Sequence, residues 1–541
     1  MKRFKIKGFT LIELLAVIAI LAIILLIAVP NITAVMGKTK EEAFRTNAKM
    51  VINSINTEIA RDLTFDVSTI TEDTIDDLLN LDNSNYSTVE VTSNFDSTSI
   101  HIVGSNSWAG YEVYGTYDNL AVVKPITTYT PESCFAFAAG EITDYHVGNN
   151  GCTLDVVIPI TISSIPVTAI GATSFEAKGL TSVVLPNGIE TIDVSAFYGN
   201  NLASIILPDS VTDISEAAFS NNKLTSILIP SSVTNIGGGA FNNNLMAAAA
   251  GFIYARNGDG SIDSSTLVSY AGALKTPIIP SNVTEISAYA FSETGLTSVT
   301  IPSTVVTIGE AAFAMNQITS VDLPGSVQTI PNLAFYLNPI STLTLHTGLQ
   351  VISDYAFAST GLATISLPNT LISIGESSFY DNSLTTITLP NSITTLGMFA
   401  FFQNSIATVN FGTGLTTAGE GTFGSNLITT ISLPSSLHVL PTNFLGSNLL
   451  TSVVIPVGVT TIGDGAFISN SLSSVTIPNT VTNIGISALS DNALTSITVN
   501  RAAITIGDYL LNDVNNNFRT TYLAGGIGTY SGTQSGTWTK I

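Results

Sequence analysis

The sequence contains a 22-residue unit that recurs from Leu180 almost to the C-terminus. The first regular copy is 180–201, LTSVVLPNGIETIDVSAFYGNN, and its phenylalanine is Phe197. Later copies repeat that phenylalanine, or a leucine, at Phe219, Phe241, Phe291, Phe313, Phe335, Phe357, Phe379, Phe401, Phe423, Phe467, Leu489 and Leu511. A fixed short period with apolar residues at fixed places predicts a mostly β solenoid, in which each unit packs only on its neighbours.

The positions inside the unit predict its local structure. Counted from the first leucine as offset zero, offsets three and five are apolar, as in Val183 and Leu185, so a strand with one buried face is expected. The proline at offset six, as in Pro186, ends that strand because it has no N–H to donate. Offset twenty is asparagine in 11 of 14 regular units, as in Asn200. We expect an inward asparagine row that satisfies backbone groups, beside a continuous stack of the phenylalanines.

A period of this length falls in the range of leucine-rich repeats. The short unit with its proline resembles the BspA-like leucine-rich repeats of bacterial surface proteins, over about residues 158–541. We divide that part of the chain into an N-terminal cap (131–179), the repeats (180–515) and a C-terminal cap (516–541). Tyr522, Tyr530 and Trp538 are candidates to close the C-terminal end. The resemblance implies adhesion to host or matrix molecules.

One repeat slot, 246–273, is irregular and six residues longer than the others. It contains NGDGSID, 257–263, which is superficially similar to a calcium-binding loop. The bidentate glutamate that such a loop needs downstream is absent, so a polar turn at a loop tip is predicted.

Two positions of the unit are expected to face outward. Offset four is apolar in the early units (Val184, Ile206, Leu228 and Ile278) and polar from Thr300 to Ser432. An apolar stripe at one end implies a cover, either another part of this chain, which we favour, or a binding partner. Offset two is serine or threonine in every regular unit. These hydroxyls are either a face for a glycan or protein ligand, or residues that suit an exposed strand and hydrogen-bond across it.

The N-terminus combines a basic leader, MKRFKIKG, with an apolar run from residue 9 to residue 29. That run contains one charge, Glu13, and is long enough to cross a ~30 Å hydrocarbon core as a helix. The basic leader places the N-terminus on the cytoplasmic side and the bulk of the chain outside the cell. A carboxylate within such a run is costly and indicates a functional residue.

The motif GFTLIE, residues 8–13, resembles the signal of type IV prepilins and pseudopilins. The resemblance implies that a prepilin peptidase cleaves between Gly8 and Phe9 and that the new terminus is N-methylated. It also implies that Glu13 neutralises the Phe9 amine of a neighbouring pilin-like subunit during assembly. A plain membrane anchor or an unusual signal peptide remains the alternative.

Helical spacing continues beyond the apolar run. Phe44, Ala48, Val51, Ile55 and Ile59 recur on one face, so a long transmembrane and pilin-like helix is predicted over 9–62, after a leader of residues 1–8. Residues 63–130 alternate in short β-like runs and predict a small α+β head.

The remaining composition limits the function. A net charge of −22 disfavours nucleic-acid binding. Cys134 and Cys152 fit one disulfide in an oxidising compartment, or two buried free thiols. The sequence has no catalytic motif and no metal-ligand spacing, so we predict no enzyme, cofactor or metal site. Its four histidines are scattered: His101, His146, His346 and His438.

These observations predict a bacterial surface protein with a single membrane pass, a possible part of a pilus or pseudopilus. One hypothesis is an adhesion or binding protein displayed as a minor or tip subunit, with an extracellular protein or glycan as its ligand. A second is a structural pseudopilin of a secretion or DNA-uptake machine. A third is a membrane-anchored repeat protein that never assembles.

Overall fold

The computed structural model describes residues 40, 42–59, 70–71, 73–75, 86–94, 97–104, 112–116, 119–123, 129–149, 151–247, 249–512, 515–533 and 536–541. Among the helices in these ranges, none is long and apolar enough to cross a membrane. The apolar run 9–29, with Gly8, Phe9 and Glu13, lies outside them.

A helix over residues 42–59 buries the apolar face that its spacing predicts, since Phe44, Ala48, Val51 and Ile55 are at most 1% exposed. These side chains form one core with residues of an antiparallel sheet. The sheet has four strands in sequential order: Tyr86–Asn94, Ser97–Gly104, Glu112–Thr116 and Asn119–Val123.

The described residues from 129 onward form a β-solenoid of about 15 turns. Its first row of strands lies at offsets two to four, where the period-two pattern predicts it. Neighbouring strands of this row that pair do so in parallel, for example Thr386 with Thr408. The strands of the row are Asp155–Val157, Ser182–Val184, Ser320–Asp322, Thr342–Thr344, Thr386–Thr388, Thr408–Asn410, Ser474–Ile477 and Ser496–Val499.

A second row of parallel strands runs along the solenoid at offsets eleven and twelve, and the sequence reasoning missed it. Each strand has only two residues, too few to show a period of two, although the second residue is apolar and faces the core in nearly all of them. The strands are Ala169–Ile170, Thr191–Ile192, Asp213–Ile214, Asn235–Ile236, Glu285–Ile286, Thr307–Ile308, Thr329–Ile330, Val351–Ile352, Ser373–Ile374, Thr395–Leu396, Thr417–Ala418, Val439–Leu440, Thr461–Ile462, Asn483–Ile484 and Thr505–Ile506.

The asparagine row lies inside the turn that closes each coil, as predicted. Asn316 is fully buried, and its Oδ1 accepts from the Leu296 N–H at 2.9 Å. Its Nδ2 donates to the carbonyl oxygens of Phe291, at 2.8 Å, and Phe313, at 3.0 Å. Each asparagine of this kind therefore joins its own coil to the preceding one and satisfies backbone groups that would otherwise be buried without partners.

The phenylalanines stack, but not in the continuous column that the sequence predicts. Ring centroids of neighbouring coils are 5.0–5.6 Å apart from Phe175 to Phe241 and from Phe291 to Phe423. The column is interrupted after Phe241, where the irregular segment enters. It ends at Phe423 because the next coil carries leucine at this offset and places Phe444 at 74° to the Phe423 ring.

The irregular segment is a 3₁₀ turn, Ala249–Gly251, followed by a hairpin of Phe252–Arg256 and Ile262–Tyr270. Its second strand continues the second row by pairing in parallel with Glu285–Ile286. The tip is the polar turn predicted for 257–263. There the Asp259 carboxylate accepts from the Ser261 N–H at 3.0 Å.

Both ends of the solenoid are closed. The N-terminal cap is a hairpin of Phe135–Ala138 and Glu141–Tyr145, and Cys134 and Cys152 form the predicted disulfide beside it. A small hairpin of Thr161–Ile162 and Ile165–Pro166 precedes the first regular coil.

The C-terminal cap buries Tyr522, Tyr530 and Trp538, as predicted, around Phe518. It also contains a helix, Asn517–Gly525, where the sequence shows only a fraying repeat. The strand Gly528–Ser531 then pairs antiparallel with the last strand of the first row and covers its edge, and Thr539–Lys540 pairs antiparallel with Gly528–Ser531.

Candidate functional site

The predicted apolar stripe on the outward face of the first row is only partly as expected. Val184, Ile206 and Leu228 are half-buried, whereas Ile278 is 71% exposed and therefore has no cover in the described part of the chain. Val454 occupies the same offset in a late coil and is 78% exposed, so the prediction that apolar residues are confined to the first coils is wrong. The stripe is broken rather than continuous.

A row of exposed hydroxyls follows the same face at offset two. We call it the hydroxyl row; it consists of Ser320, Thr342, Thr364, Thr386, Thr408, Thr430, Ser452 and Ser474. The cross-strand hydrogen bonds that a structural role would give are absent here: within the described residues, none of these eight side chains forms a hydrogen bond with another. Where the strands of neighbouring coils pair, the positions that carry these hydroxyls are about 4.8 Å apart. The hydroxyls are available to an external ligand.

A cavity of about 280 Å³ opens on the turn side of the solenoid, where the irregular segment interrupts the coils. We call it the tyrosine pocket. It is lined by Tyr198, Glu216, Ala217, Ser220, Gly238, Gly239, Tyr289, Ser292, Glu293, Ala311, Ala314, Met315, Leu333 and Tyr336. These residues come from six coils, three on each side of the hairpin.

The pocket exists because the hairpin supplies a strand to the second row but no turn. The turn of the coil before it therefore meets the turn of the coil after it directly. The Asn242 side chain bridges them by donating to the carbonyl oxygens of Tyr289, at 2.8 Å, and Ser292, at 2.9 Å. Gly238 permits this approach, because a Cβ there would collide with the Ala288 carbonyl.

Carboxylates and phenols dominate the chemistry of the pocket. The Tyr198 hydroxyl donates to Glu293 Oε2 at 3.1 Å, a contact between residues 95 apart in sequence. Burial, and then the nearby charge of Glu310, raise the pKa of the Glu216 carboxyl. Burial also raises the pKa of the Tyr289 phenol, which the charges of Glu310 and Glu216 raise further. The lining residues include no lysine, arginine or histidine to offset these carboxylates.

The sequence reasoning missed this pocket because the residue types at its lining positions change from coil to coil. The one local signal is the run Gly237–Gly239, in the coil just before the irregular segment. Other regular coils carry a larger residue at the position of Gly238, as in Glu216 of the preceding coil.

The described histidines form no catalytic or metal-binding group. His346 Nε2 lies 2.7 Å from Asp322 Oδ1 on the surface, and His438 Nδ1 lies 2.9 Å from the Gly458 carbonyl oxygen. Across the described ranges, no three histidine, cysteine, aspartate or glutamate side chains are placed to hold a metal ion.

Comparison with known families decides what the solenoid is. The model of the BspA type leucine rich repeat region matches residues 158–249, 261–381, 350–467 and 440–523, which is more than half of the chain. The chain belongs to the BspA-type leucine-rich repeat family. A second model, the prokaryotic N-terminal methylation motif, matches residues 3–29 and confirms the signal recognised there. Neither model describes a catalytic family.

Solved structures of leucine-rich repeat proteins from several bacteria are similar to parts of this chain. A leucine-rich repeat protein from Bacteroides ovatus is 21% identical over 66% of this chain and 90% of its own, with a TM-score of 0.37. A leucine-rich cell surface protein from Faecalibacterium prausnitzii is 20% identical over 60% and 94%, with a TM-score of 0.33. One from Eubacterium ventriosum is 19% identical over 67% and 93%, with a TM-score of 0.34. The search of curated proteins found no match.

Proposed function

We propose that this chain is a cell-surface BspA-type binding or adhesion protein, displayed through a pilin-like N-terminus as a minor or tip subunit. The observation that carries the proposal is the presence of both matched regions in one chain: an N-terminal methylation motif and a long repeat solenoid. The helix over 42–59 packed on a four-stranded sheet supports a pilin-like head between them. In this proposal the motif determines where the protein is displayed and the solenoid determines what it binds.

The display half of the proposal is tested at the N-terminus. We expect the mature protein to begin at Phe9 with a methylated amine, and to keep residues 1–8 in cells that lack the prepilin peptidase. Glu13→Ala is expected to be cleaved normally but lost from the sheared filament fraction, because the Phe9 amine would be buried without its counter-charge. Mass spectrometry of the N-terminus and fractionation measure the two effects.

Glu42→Ala is the matched control, since Glu42 is a glutamate on the exposed side of the following helix, with a side chain 70% exposed. It should fractionate like the wild type. If Glu13→Ala also stays in the filament fraction, Glu13 is not needed for assembly. If the wild type itself is found only in the membrane fraction, the protein does not assemble and is a membrane-anchored surface protein instead.

For the binding part of the proposal, we expect the hydroxyl row to contact the ligand. We expect Thr364→Asp, Thr386→Asp and Thr408→Asp together to weaken binding to an array of glycans and matrix proteins by about tenfold or more, because the carboxylates would be desolvated at the interface without partners. The control is a second triple variant, Thr329→Asp, Thr395→Asp and Thr417→Asp. These threonines are exposed on the second strand row, so the control adds the same charge to the other strand face. Equal binding by the two triple variants would exclude the hydroxyl row as the recognition surface.

A further inference from the structure

We infer that the tyrosine pocket binds an aliphatic ammonium group, of the kind carried by a lysine side chain or a choline head group. This site is separate from the hydroxyl row, and the inference does not depend on how the protein is displayed.

The pocket is acidic. Glu216 and Glu293 line the pocket, and Glu310 lies close enough to perturb Glu216 and Tyr289. Within the described residues, no lysine, arginine or histidine forms an ion pair with any of the three carboxylates, and no basic side chain lines the cavity. An anionic ligand would therefore be repelled, whereas a cation would supply the missing counter-charge.

The pocket also has an aromatic lining. Tyr198, Tyr289 and Tyr336 all border the cavity, together with the partly exposed Met315. The face of a tyrosine ring attracts an organic cation, and aromatic side chains beside carboxylates are the way proteins recognise alkylated ammonium groups. A strongly hydrated metal ion would instead need several oxygen ligands converging on one point, and the described residues offer no such group.

The volume of the cavity limits the size of its ligand. At about 280 Å³ the cavity is just below the range of small-molecule sites, which is roughly 300–1,000 Å³. That volume suits a single head group or side-chain terminus and is too small for an extended sugar chain.

The residues of the pocket are held in place by hydrogen bonds. The Tyr289 N–H donates to the Glu310 carbonyl oxygen at 2.9 Å, and the Tyr289 carbonyl oxygen accepts from the Asn242 side chain. Both backbone groups of Tyr289 are therefore fixed. Glu293 is oriented by the Tyr198 hydroxyl through Oε2, which leaves Oε1 for a ligand. A site assembled in advance loses less entropy on binding.

The test is calorimetric titration of the purified full-length protein in detergent with choline, n-butylammonium and the neutral n-butanol. We expect both cations to bind and n-butanol not to. The double variant Glu216→Gln and Glu293→Gln should weaken cation binding by about tenfold, and Tyr289→Leu by about fivefold. Glu285→Gln, in the same coil as Glu293 but on the second strand row, is the matched control and should bind like the wild type.

The relative affinities distinguish the two sources of the ammonium group. Tighter binding of choline indicates a quaternary head group, and tighter binding of n-butylammonium indicates a lysine side chain. Equal binding of n-butanol, an unchanged affinity in the double glutamine variant, or no binding of either cation by a protein with a wild-type thermal melt would overturn the inference. Because glutamine keeps the shape of glutamate, the double variant is expected to remain folded, which the same melt verifies.

Discussion

Replacement of Asn316 by leucine is expected to lower the free energy of unfolding by about 2–5 kcal/mol. The buried Leu296 N–H would lose its acceptor, Asn316 Oδ1. The carbonyl oxygens of Phe291 and Phe313 would each lose one donor, at about 0.5–1.5 kcal/mol per hydrogen bond, although Thr294 and Asn338 still donate to them. Each buried polar group left without a hydrogen bond costs about 1–3 kcal/mol. Urea unfolding followed by circular dichroism measures the loss, and faster hydrogen exchange at the Leu296 amide would locate it.

Two coils of this chain provide the control, because threonine replaces asparagine at Thr294 and Thr360. Their hydroxyls still donate to the carbonyl oxygens of Phe291, at 2.7 Å, and Phe357, at 3.1 Å. Asn316→Thr should therefore destabilise clearly less than Asn316→Leu. Equal losses in the two variants would show that packing at this position, rather than hydrogen bonding, determines stability.

Replacement of Phe335 by alanine is expected to cost a comparable amount, about 3–5 kcal/mol. The ring is fully buried and stacks on Phe313 and Phe357 at centroid distances of 5.2 and 5.4 Å. Its removal leaves a cavity that rigid coils on both sides cannot close, and it interrupts the aromatic column. Thermal or urea unfolding of the variant measures the effect.

Phe335→Leu is the corresponding control, because leucine occupies the same offset in other coils, at Leu445, Leu489 and Leu511, each at most 1% exposed. A loss of about 1–2 kcal/mol is expected, since most of the apolar volume remains. If leucine destabilises as much as alanine, the aromatic stack itself contributes more than its burial.

The sequence predicted the repeated features well because each recurring residue packs on its own copies. The asparagine row, the outward Ser/Thr positions and the aromatic stacks follow from one unit, since the neighbours of Asn316 are the neighbours of Asn338 displaced by one coil. The second strand row was not predicted, because a two-residue strand such as Thr395–Leu396 is too short to show a pattern in the sequence.

The tyrosine pocket could not be derived in the same way. Tyr198 meets Glu293 only because a hairpin replaces one turn, and nothing in the unit itself indicates that contact. The helix of the C-terminal cap was missed for the same reason, since a terminal unit does not repeat a neighbour.

The hairpin of residues 252–270 also has a mechanical consequence. It separates the buried apolar side chains into two clusters, one ending at Ala271 and the other beginning at Leu267. The strands of the hairpin lie between the two clusters, and the Asn242 side chain bridges the turns on either side. A repeat array transmits force from one unit to the next through like interfaces. Under tension along the axis of the solenoid, we therefore expect the coils before and after the hairpin to extend as two separate units. The hairpin segment that joins them is expected to differ in stiffness from a regular coil.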